Sequence, residues 1–229
     1  NYKIITISSA QQQDIVTTFR IAPENKTVVI PLGFDLTRFE KSAENRMELR
    51  KKMNLKAHQT AVAIVGRIAP IKNHRLFIDA AAKAYKKHPE EFMFYVVGDG
   101  ELKQDLTTYI NTTYPWLNSS VIFTSWIADM TTFYPAMDLV CLTSINEGTP
   151  VSLIEAQASG IPVLSTNVGG VKDVVNSNET GIILNEHSAE ELSNHLIELH
   201  LNSELRIKMS QNARNFVKER YTYHRLIAD

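Results

Sequence analysis

The chain has 229 residues, of which 44% are hydrophobic, and it carries 24 basic and 25 acidic side chains. This composition is typical of a folded globular protein and excludes a disordered chain. A formal net charge of -1 gives no general electrostatic reason to expect nucleic acid or an anionic membrane as a partner. The single cysteine, Cys141, excludes an internal disulfide, and the longest apolar runs are far shorter than the roughly 20 residues of a transmembrane helix. We therefore expect a cytoplasmic protein without a transmembrane segment.

The beginning of the chain predicts one strand over residues 3–7 and one helix over residues 10–20. Linkers that contain proline, at residues 22–25 and 31–35, separate this βα unit from the rest of the chain. An isolated unit of this kind, in a chain that does not begin with methionine, suits the end of a preceding domain. We therefore expect residues 1–20 to be the remnant of an N-terminal domain and its hinge.

The middle of the chain alternates short apolar runs with longer segments of helical periodicity. The runs predict strands at residues 60–65, 92–97, 121–124, 138–142, 163–166 and 181–184. The periodic segments predict helices at residues 43–53, 73–87, 101–111, 129–136, 150–159, 188–200 and 203–220. Because each run is apolar throughout and a helical segment separates it from the next, the pattern predicts an α/β fold: a Rossmann-like parallel sheet with helices on both faces.

The end of the chain, from residue 203 to residue 229, has helical periodicity and stops without a glycine or another C-cap signal. We expect residues 21–210 to form one domain, and residues 211–229 to form a C-terminal helix that runs back toward the missing part. Both termini are therefore expected to be truncations of a longer protein.

The loop after the first strand of this domain contains two cations, Arg67 and Lys72, and opens a helix after Gly66. In an open parallel sheet, ligands bind beyond the carboxyl ends of the strands. A guanidinium, an ammonium and a helix N-terminus together suit a diphosphate, because each supplies donors to anionic oxygen. From the spacing alone, a pair of solvated loop cations is an equally good interpretation.

The next two loops give weaker signals. Gly98-Asp99-Gly100-Glu101 resembles a dinucleotide fingerprint, but Lys103 occupies the place of its third glycine. A tight turn that needs permissive backbone explains these glycines equally well. Trp126 and Ile127 follow the third strand, where an aromatic side chain is able to line a base pocket, although core packing is the more common fate of a tryptophan.

The loop after the fourth strand is the most informative. Glu147 lies just before a helix and Glu155 about one and a half turns inside it. A carboxylate accepts two hydrogen bonds at once, so each glutamate suits a vicinal diol, one on a ribose and one on a transferred sugar. Gly148 allows close approach of the backbone, and the first helical turn presents N–H groups to anionic oxygen. Singly, Glu147 is a plausible dipole partner and Glu155 a plausible surface residue, but both together with the two cations favour a binding site.

Other chemistries find little support in the sequence. The seven histidines do not show a ligand spacing such as His-x-x-x-His, and one cysteine excludes a cysteine-rich zinc site. An Asp-x-Asp pair, a Gly-x-Ser-x-Gly elbow and a Gly-x-x-x-x-Gly-Lys-Ser/Thr loop are also absent from the sequence. We therefore expect a site that works without a metal or another cofactor.

Taken together, these residues resemble the retaining glycosyltransferases of the GT-B fold, family four, which includes bacterial sugar transferases for polysaccharide, lipopolysaccharide and capsule. The resemblance extends from about Lys3 to Asp229, and Glu147 and Glu155 form its Glu-x7-Glu signature. The matching segments are Val29-Ile30-Pro31-Leu32-Gly33-Phe34-Asp35, Val65-Gly66-Arg67 with Lys72-Asn73, Val97-Gly98-Asp99-Gly100, Glu147-Gly148-Thr149-Pro150 through Glu155-Ala156, Ser159-Gly160-Ile161-Pro162-Val163 and Asn167-Val168-Gly169-Gly170.

The resemblance implies a role for each matched residue. Arg67 and Lys72 are similar to the cations that bind the donor diphosphate and stabilise it as leaving group. Glu155 is similar to the glutamate that holds the ribose, and Glu147 to the one that contacts the donor sugar, so that Arg67, Lys72 and Glu147 form the implied catalytic group. Ser125 stands where the family commonly has glycine, and Asp173 where glutamate is frequent. The implied donor-binding set is Gly66, Arg67, Lys72, Trp126, Ile127, Glu147, Gly148, Thr149, Pro150, Val151 and Glu155.

The resemblance also implies a function. Residues 21–210 would be the C-terminal, nucleotide-sugar-binding domain of a metal-independent transferase that uses a UDP-sugar, and the fragment alone would not transfer. The acceptor, a saccharide or lipid-linked saccharide, would bind through the missing domain, in the cytoplasm or at the inner face of the membrane. One alternative is a freestanding nucleotide-sugar-binding module. A sugar-nucleotide epimerase is disfavoured, because it would not need the Glu-x7-Glu loop.

Overall fold

The structure, a computed structural model, describes residues 2–42 and 45–229. Its strands are β1 (Ile4–Thr6), β2 (Thr27–Val29), β3 (Thr60–Val65), β4 (Phe92–Val97), β5 (Val121–Ser125), β6 (Leu139–Leu142), β7 (Val163–Ser165) and β8 (Gly181–Ile183). Its helices are α1 (Ser9–Gln13), α2 (Thr37–Ser42), α3 (Arg46–Lys52), α4 (His74–Lys87), α5 (Lys103–Thr113), α6 (Val151–Ala158), α7 (Val171–Val174), α8 (Ala189–Leu201), α9 (Ser203–Arg220) and α10 (Tyr223–Ala228).

Six of the strands form one parallel sheet in the order β5-β4-β3-β6-β7-β8. All six predicted strands are present, with ends that differ by at most one residue from the prediction. They could be predicted because a parallel strand that is covered on both faces has an uninterrupted apolar sequence. β1 and β2 form a separate, parallel two-stranded sheet, which joins residues on both sides of the boundary that we expected at residue 20.

Two apolar clusters cover the two faces of the large sheet. Along β3, Val62 and Ile64 face the cluster that includes side chains of α4, α5 and α8. Ala61 and Ala63 face the opposite cluster, which includes side chains of α6 and α9. This alternation places helices on both faces and confirms the predicted α/β class.

The edge of the sheet at which the strands begin is held by a cluster of charges around Asp138, which precedes β6. Its carboxylate accepts hydrogen bonds from Arg46 at 2.5 Å and Arg50 at 2.9 Å, both from α3. It also accepts one from the backbone N–H of Ala61 at 2.8 Å. The cluster fixes α3 against the amino ends of β3 and β6.

Cys141, in the middle of β6, is 1% exposed, and burial raises the pKa of its thiol.

Several predicted helices need correction. The predicted helix at residues 129–136 is two separate 3-10 turns, Met130–Thr132 and Tyr134–Ala136, because Pro135 lacks the N–H that a continuous helix needs. The predicted helix at residues 10–20 is the short α1 followed by a π-helical segment, Asp14–Thr18. Two residues of the predicted helix at 43–53, residues 43 and 44, lie outside the described residues; the rest corresponds to α3.

The end of the chain is two helices instead of one. Tyr221 ends the first, and Thr222 begins α10 by accepting a hydrogen bond from the N–H of Arg225. α10 packs on the linker before α2: the Arg225 guanidinium donates to the carbonyl oxygens of Pro31 at 2.6 Å and Leu32 at 2.8 Å. In the described part of the chain, none of the helices combines the length and apolar character needed to cross a bilayer.

Candidate functional site

The loops after β3 and β6 lie side by side at the carboxyl edge of the sheet, because these two strands are neighbours. The hydroxyl of Thr143 donates to the carbonyl oxygens of Lys72 and Asn73, both at 3.0 Å. The N–H of Ile145 donates to the carbonyl oxygen of Ile71 at 2.8 Å. The two loops that carry the predicted charges are thus bonded to each other by backbone and hydroxyl groups.

Lys72 and Glu147 form an ion pair across these loops. The Nζ atom of Lys72 lies 2.5 Å from Oε1 of Glu147, and the hydroxyl of Ser144 donates to the same oxygen at 2.6 Å. The Glu147 side chain is 10% exposed and that of Lys72 is 25% exposed. An ammonium has three donors and a carboxylate about four acceptor positions, so this contact leaves both groups with capacity for a ligand.

A turn between β7 and α7 lies directly on the Glu147 loop. The N–H of Gly170 donates to the carbonyl oxygens of Glu147 at 3.3 Å and Gly148 at 3.0 Å. Gly169 has a φ of +49°, and a Cβ atom there would lie 1.7 Å from the carbonyl oxygen of Glu147. Only glycine permits this approach without a shift of the loop. Gly148 differs, since the nearest atom to a Cβ there would be Nε2 of Gln11, at 3.7 Å.

In this conformation the two predicted cations pair with different carboxylates, Arg67 with Glu101 and Lys72 with Glu147. The Arg67 side chain is 67% exposed, and its guanidinium pairs with Glu101 at 3.1 Å. An exposed pair of this kind contributes at most about 1 kcal/mol, so its geometry is easily exchanged for another. The backbones of Gly66 and Gly98 lie in contact beneath it, since a Cβ on Gly98 would lie 2.1 Å from the carbonyl oxygen of Gly66.

Glu155, in the second turn of α6, is half-buried. The Tyr134 hydroxyl donates to its Oε2 at 3.2 Å. Burial raises the pKa of Glu155, and the hydrogen bond from Tyr134 partly offsets this. Burial also raises the pKa of Tyr134 well above its ordinary value, so the phenol stays a donor. Glu155 is therefore partly buried and hydrogen-bonded, not a fully exposed side chain.

The other predicted residues of the site have diverse surroundings. Trp126 is 63% exposed, so the expectation that a tryptophan packs in the core is wrong here. Ile127 packs against the core. The hydroxyl of Thr149 donates to the carbonyl oxygen of Ile7 at 3.4 Å, and Pro150 directly precedes Val151, the first residue of α6.

Ser125 has a backbone conformation that favours glycine. Its φ is +57°, in the left-handed region. Its hydroxyl lies between two charged side chains, accepting from Lys103 at 2.8 Å and donating to Asp99 at 3.2 Å. These two hydrogen bonds hold the Ser125 side chain at the position where, by the resemblance described above, glycine is common.

His74, the first residue of α4, was not among the predicted site residues. Its side chain is buried, and neither ring nitrogen has a hydrogen-bond partner within the described residues. Burial, with a contribution from the charge of Lys72, lowers the pKa of His74 to about 4. His74 lines a cavity of about 410 Å³ between α4 and α5, beside the predicted site residues. A histidine next to the Lys72-Asn73 segment was the available signal, but its burial was not predictable from spacing.

The βα unit at the beginning of the chain also reaches the site. The N–H of Ser9 donates to the carboxylate of Asp173 at 2.7 Å. The side chain of Ser8 lies beneath Gly170, because its Cβ atom would be 3.2 Å from a Cβ placed there. The loops at the carboxyl edge are therefore covered on one side by residues 7–11.

Comparisons with known proteins are consistent with this architecture. The family model described as "Glycosyl transferases group 1" matches residues 45–216. The UDP-Gal:alpha-D-GlcNAc-diphosphoundecaprenol alpha-1,3-galactosyltransferase of Escherichia coli is 33% identical over 193 residues, which are 83% of this chain and 49% of that protein. The D-inositol 3-phosphate glycosyltransferase of Corynebacterium kroppenstedtii is 27% identical over 223 residues, which are 92% of this chain and 48% of that protein. The chain spans about half the length of these relatives.

Two solved structures have the same fold. Anabaena Alr3699/HepE in complex with UDP has a TM-score of 0.88 at 24% identity, over 98% of this chain and 61% of that chain. The C-terminal domain of LpcC, a glycosyl transferase group 1 family protein from Francisella tularensis, has a TM-score of 0.73 at 28% identity, over 83% of this chain and 99% of that chain. With a family model that matches most of its length, this chain belongs to the Glycosyl transferases group 1 family.

Proposed function

We propose that this chain is the C-terminal, donor-binding half of a retaining glycosyltransferase that binds a UDP-sugar without a metal. The contact between Lys72 and Glu147 carries the proposal, because it holds a cation and a carboxylate together at the ligand-binding edge of the sheet. The chain spans about half of its relatives, and the E. coli relative is named for a UDP-Gal donor and a lipid-linked acceptor. The whole protein would transfer sugar to a saccharide or lipid-linked saccharide, in polysaccharide, lipopolysaccharide or capsule synthesis.

The cations supply the charge that a departing diphosphate needs. Lys72 is held by Glu147, which is itself held by the Ser144 hydroxyl, so the ammonium is positioned before the donor arrives. Arg67 reaches the diphosphate by leaving its exposed contact with Glu101. Two such cations neutralise the growing negative charge without a divalent ion. This arrangement suits metal-independent transfer in the cytoplasm or at the inner face of the membrane.

The two glutamates bind different parts of the donor. Glu147, next to Lys72 and below the Gly169–Gly170 turn, lies close to where the sugar is bonded to the diphosphate. Glu155 lies eight residues further along the chain, in the second turn of α6, and holds the ribose hydroxyls. Gly148, Thr149 and Val151 line the path between them, and Trp126 and Ile127 border the base.

The binding of UDP tests the cations. Each charge-assisted contact contributes roughly 1.5–3 kcal/mol, so Arg67→Ala should raise the Kd for UDP about ten- to a hundredfold in titration calorimetry with EDTA present. Glu101→Gln is the matched control: it removes the partner of Arg67 and keeps the cation, so UDP should bind with equal or higher affinity. Binding that disappears when EDTA is added would overturn the metal-free part of the proposal.

The binding of UDP and a UDP-hexose to two isosteric variants tests the glutamates. Glu155→Gln should weaken both ligands to a similar extent, because both contain the ribose. Glu147→Gln should weaken only the UDP-hexose, because UDP has no hexose for Glu147 to contact. Equal losses of both ligands in both variants would contradict this division.

Transfer activity distinguishes a half-enzyme from a freestanding binding module. Positioning of the acceptor accounts for about 7–11 kcal/mol of the barrier in reactions between two bound groups. These 229 residues should therefore bind donor and hydrolyse it slowly, but should not glycosylate an added acceptor. Rapid transfer by this chain alone would refute the half-enzyme proposal, whereas a natural reading frame without an upstream domain would favour the binding module.

A further inference from the structure

At the edge of the sheet opposite to the candidate site, three side chains with metal-binding atoms come together. His88 follows the last residue of α4, Glu91 precedes β4, and His200 lies in the last turn of α8. Their ligand atoms all lie within 4.8 Å of one another. Imidazole nitrogen together with a carboxylate oxygen is a ligand set that Zn²⁺ and related divalent ions prefer. The set was not visible in the sequence, because His200 comes from a distant segment.

The distances between these atoms are close to those of a metal site. Oε2 of Glu91 lies 3.5 Å from Nδ1 of His88 and 2.6 Å from Nε2 of His200. Ligands at about 2.1 Å from a tetrahedral Zn²⁺ ion are separated by about 3.4 Å. The distance from Glu91 to His88 already fits this separation. The distance from Glu91 to His200 fits it after the Glu91 carboxylate moves by less than about 1 Å. Since the Glu91 side chain is 42% exposed, it is free to make this movement.

A second contact orients His200 for this role. Its Nδ1 atom lies 2.8 Å from the hydroxyl oxygen of Thr60. When Nδ1 carries the proton and donates to Thr60, Nε2 presents its lone pair toward Glu91. The 2.6 Å between Nε2 and Oε2 of Glu91 is the length of a hydrogen bond, so Zn²⁺ would replace the proton that lies between these two atoms. Outer hydrogen bonds of this kind fix the tautomer of histidines that ligate metals.

From this geometry we propose that His88, Glu91 and His200 bind one Zn²⁺ ion, with water completing the coordination. The ion joins the end of α8 to the segment between α4 and β4. β3 and β4 each have six residues, so this site lies roughly 20 Å from the donor edge. The Zn²⁺ therefore stabilises the fold and takes no part in donor binding, and the proposal is independent of the proposed function.

Titration calorimetry and thermal unfolding with ZnCl₂ test the site. Wild type should bind one Zn²⁺ per chain, and at a hundredfold excess over the Kd its Tm should rise by about 5–10 °C. His88→Ala should raise the Kd at least tenfold. The matched control is His195→Ala. His195 and Glu198 form a similar pair, at 3.0 Å, but among the described residues they are not part of a group of three side chains that could hold a metal ion. This variant should bind Zn²⁺ as wild type does.

Cobalt spectroscopy and UDP titration test the site further. Co²⁺ in place of Zn²⁺ should give visible absorption bands in wild type that His88→Ala loses, even if this variant is less stable. The affinity for UDP should be the same with and without Zn²⁺. Wild type that does not bind Zn²⁺, equal binding by His88→Ala, or loss of binding in His195→Ala would each overturn the site. A failure of UDP binding alone would affect the proposed function and leave the Zn²⁺ site standing.

Discussion

At the amino edge of the sheet, the carboxylate of Asp138 lies between Arg46 and Arg50, at 2.5 and 2.9 Å. At the carboxyl edge, the carboxylate of Glu147 meets Lys72 at 2.5 Å. Both arginines also donate to backbone carbonyl oxygens, so their guanidinium donors are used within the protein. The lysine ammonium keeps donors for a ligand. Similar ion pairs therefore stabilise the fold at one edge and hold a lysine of the proposed donor site at the other.

The largest effect is expected from breaking the pair at the amino edge. Asp138→Asn leaves Arg50, whose side chain is 13% exposed, without its compensating charge. Loss of one partner from a buried pair costs about 3–5 kcal/mol in the free energy of unfolding, measured by urea denaturation. Glu48→Gln, in an exposed pair with Lys52, is the control and should leave stability unchanged. UDP affinity of the folded fraction should not change in either variant, and a loss in Asp138→Asn would show that the two edges are coupled.

A smaller loss is expected when the carboxyl edge is distorted. Gly169→Ala places a Cβ atom at φ +49° and 1.7 Å from the carbonyl oxygen of Glu147, so the Glu147 loop must shift. We expect about 2–3 kcal/mol lower stability and weaker binding of a UDP-hexose. Gly148→Ala adds the same methyl group where the nearest atom is 3.7 Å away, and should unfold as wild type does. Equal stability of both variants would mean that the turn does not position Glu147.

The pH dependence of stability gives the smallest effect. The pKa of His74 is lowered from 6.5 to about 4 in the folded state, so below pH 6.5 the unfolded chain binds a proton that the folded chain does not. Stability is therefore full above pH 6.5 and falls as the pH decreases toward 4. Between pH 7 and pH 5 the loss should be about 2 kcal/mol.

Replacement of the buried histidine should remove this part of the pH dependence. His74→Leu should flatten the difference between urea unfolding at pH 7 and at pH 5. His187→Gln changes an exposed histidine and should keep the wild-type slope. If both variants keep that slope, His74 is not the group that titrates.

The large sheet could be predicted because a strand that is buried on both faces has a continuous apolar sequence. The short β2 could not, because three residues show too little periodicity and its pairing with β1 depends on contacts far apart in the chain. The break between α9 and α10 had a local signal in Thr222, a residue that favours the N-cap. The prediction of a helix at residues 129–136 was wrong because it followed the apolar spacing, whereas Pro135 lacks the N–H that a continuous helix needs.

The site was predictable to the extent that topology determines it. Neighbouring strands bring their following loops together, and this is why Lys72 and Glu147 meet. The choice of Glu101 as the partner of Arg67 depends on side-chain conformations at the surface, which the sequence pattern does not encode. The buried His74 and the His88–Glu91–His200 cluster depend on packing between distant segments, so neither was found from spacing.

Cys141 makes the centre of the sheet a built-in reporter of unfolding. Its thiol is 1% exposed, in a strand flanked by β3 and β7, and burial raises its pKa. Only an exposed thiolate reacts with alkylating reagents, so labelling requires the central strands to separate. Since the chain has one cysteine, the rate of alkylation measures how often that separation happens. Global opening of the molecule can therefore be followed by mass spectrometry of the alkylated protein, without a dye or a tag.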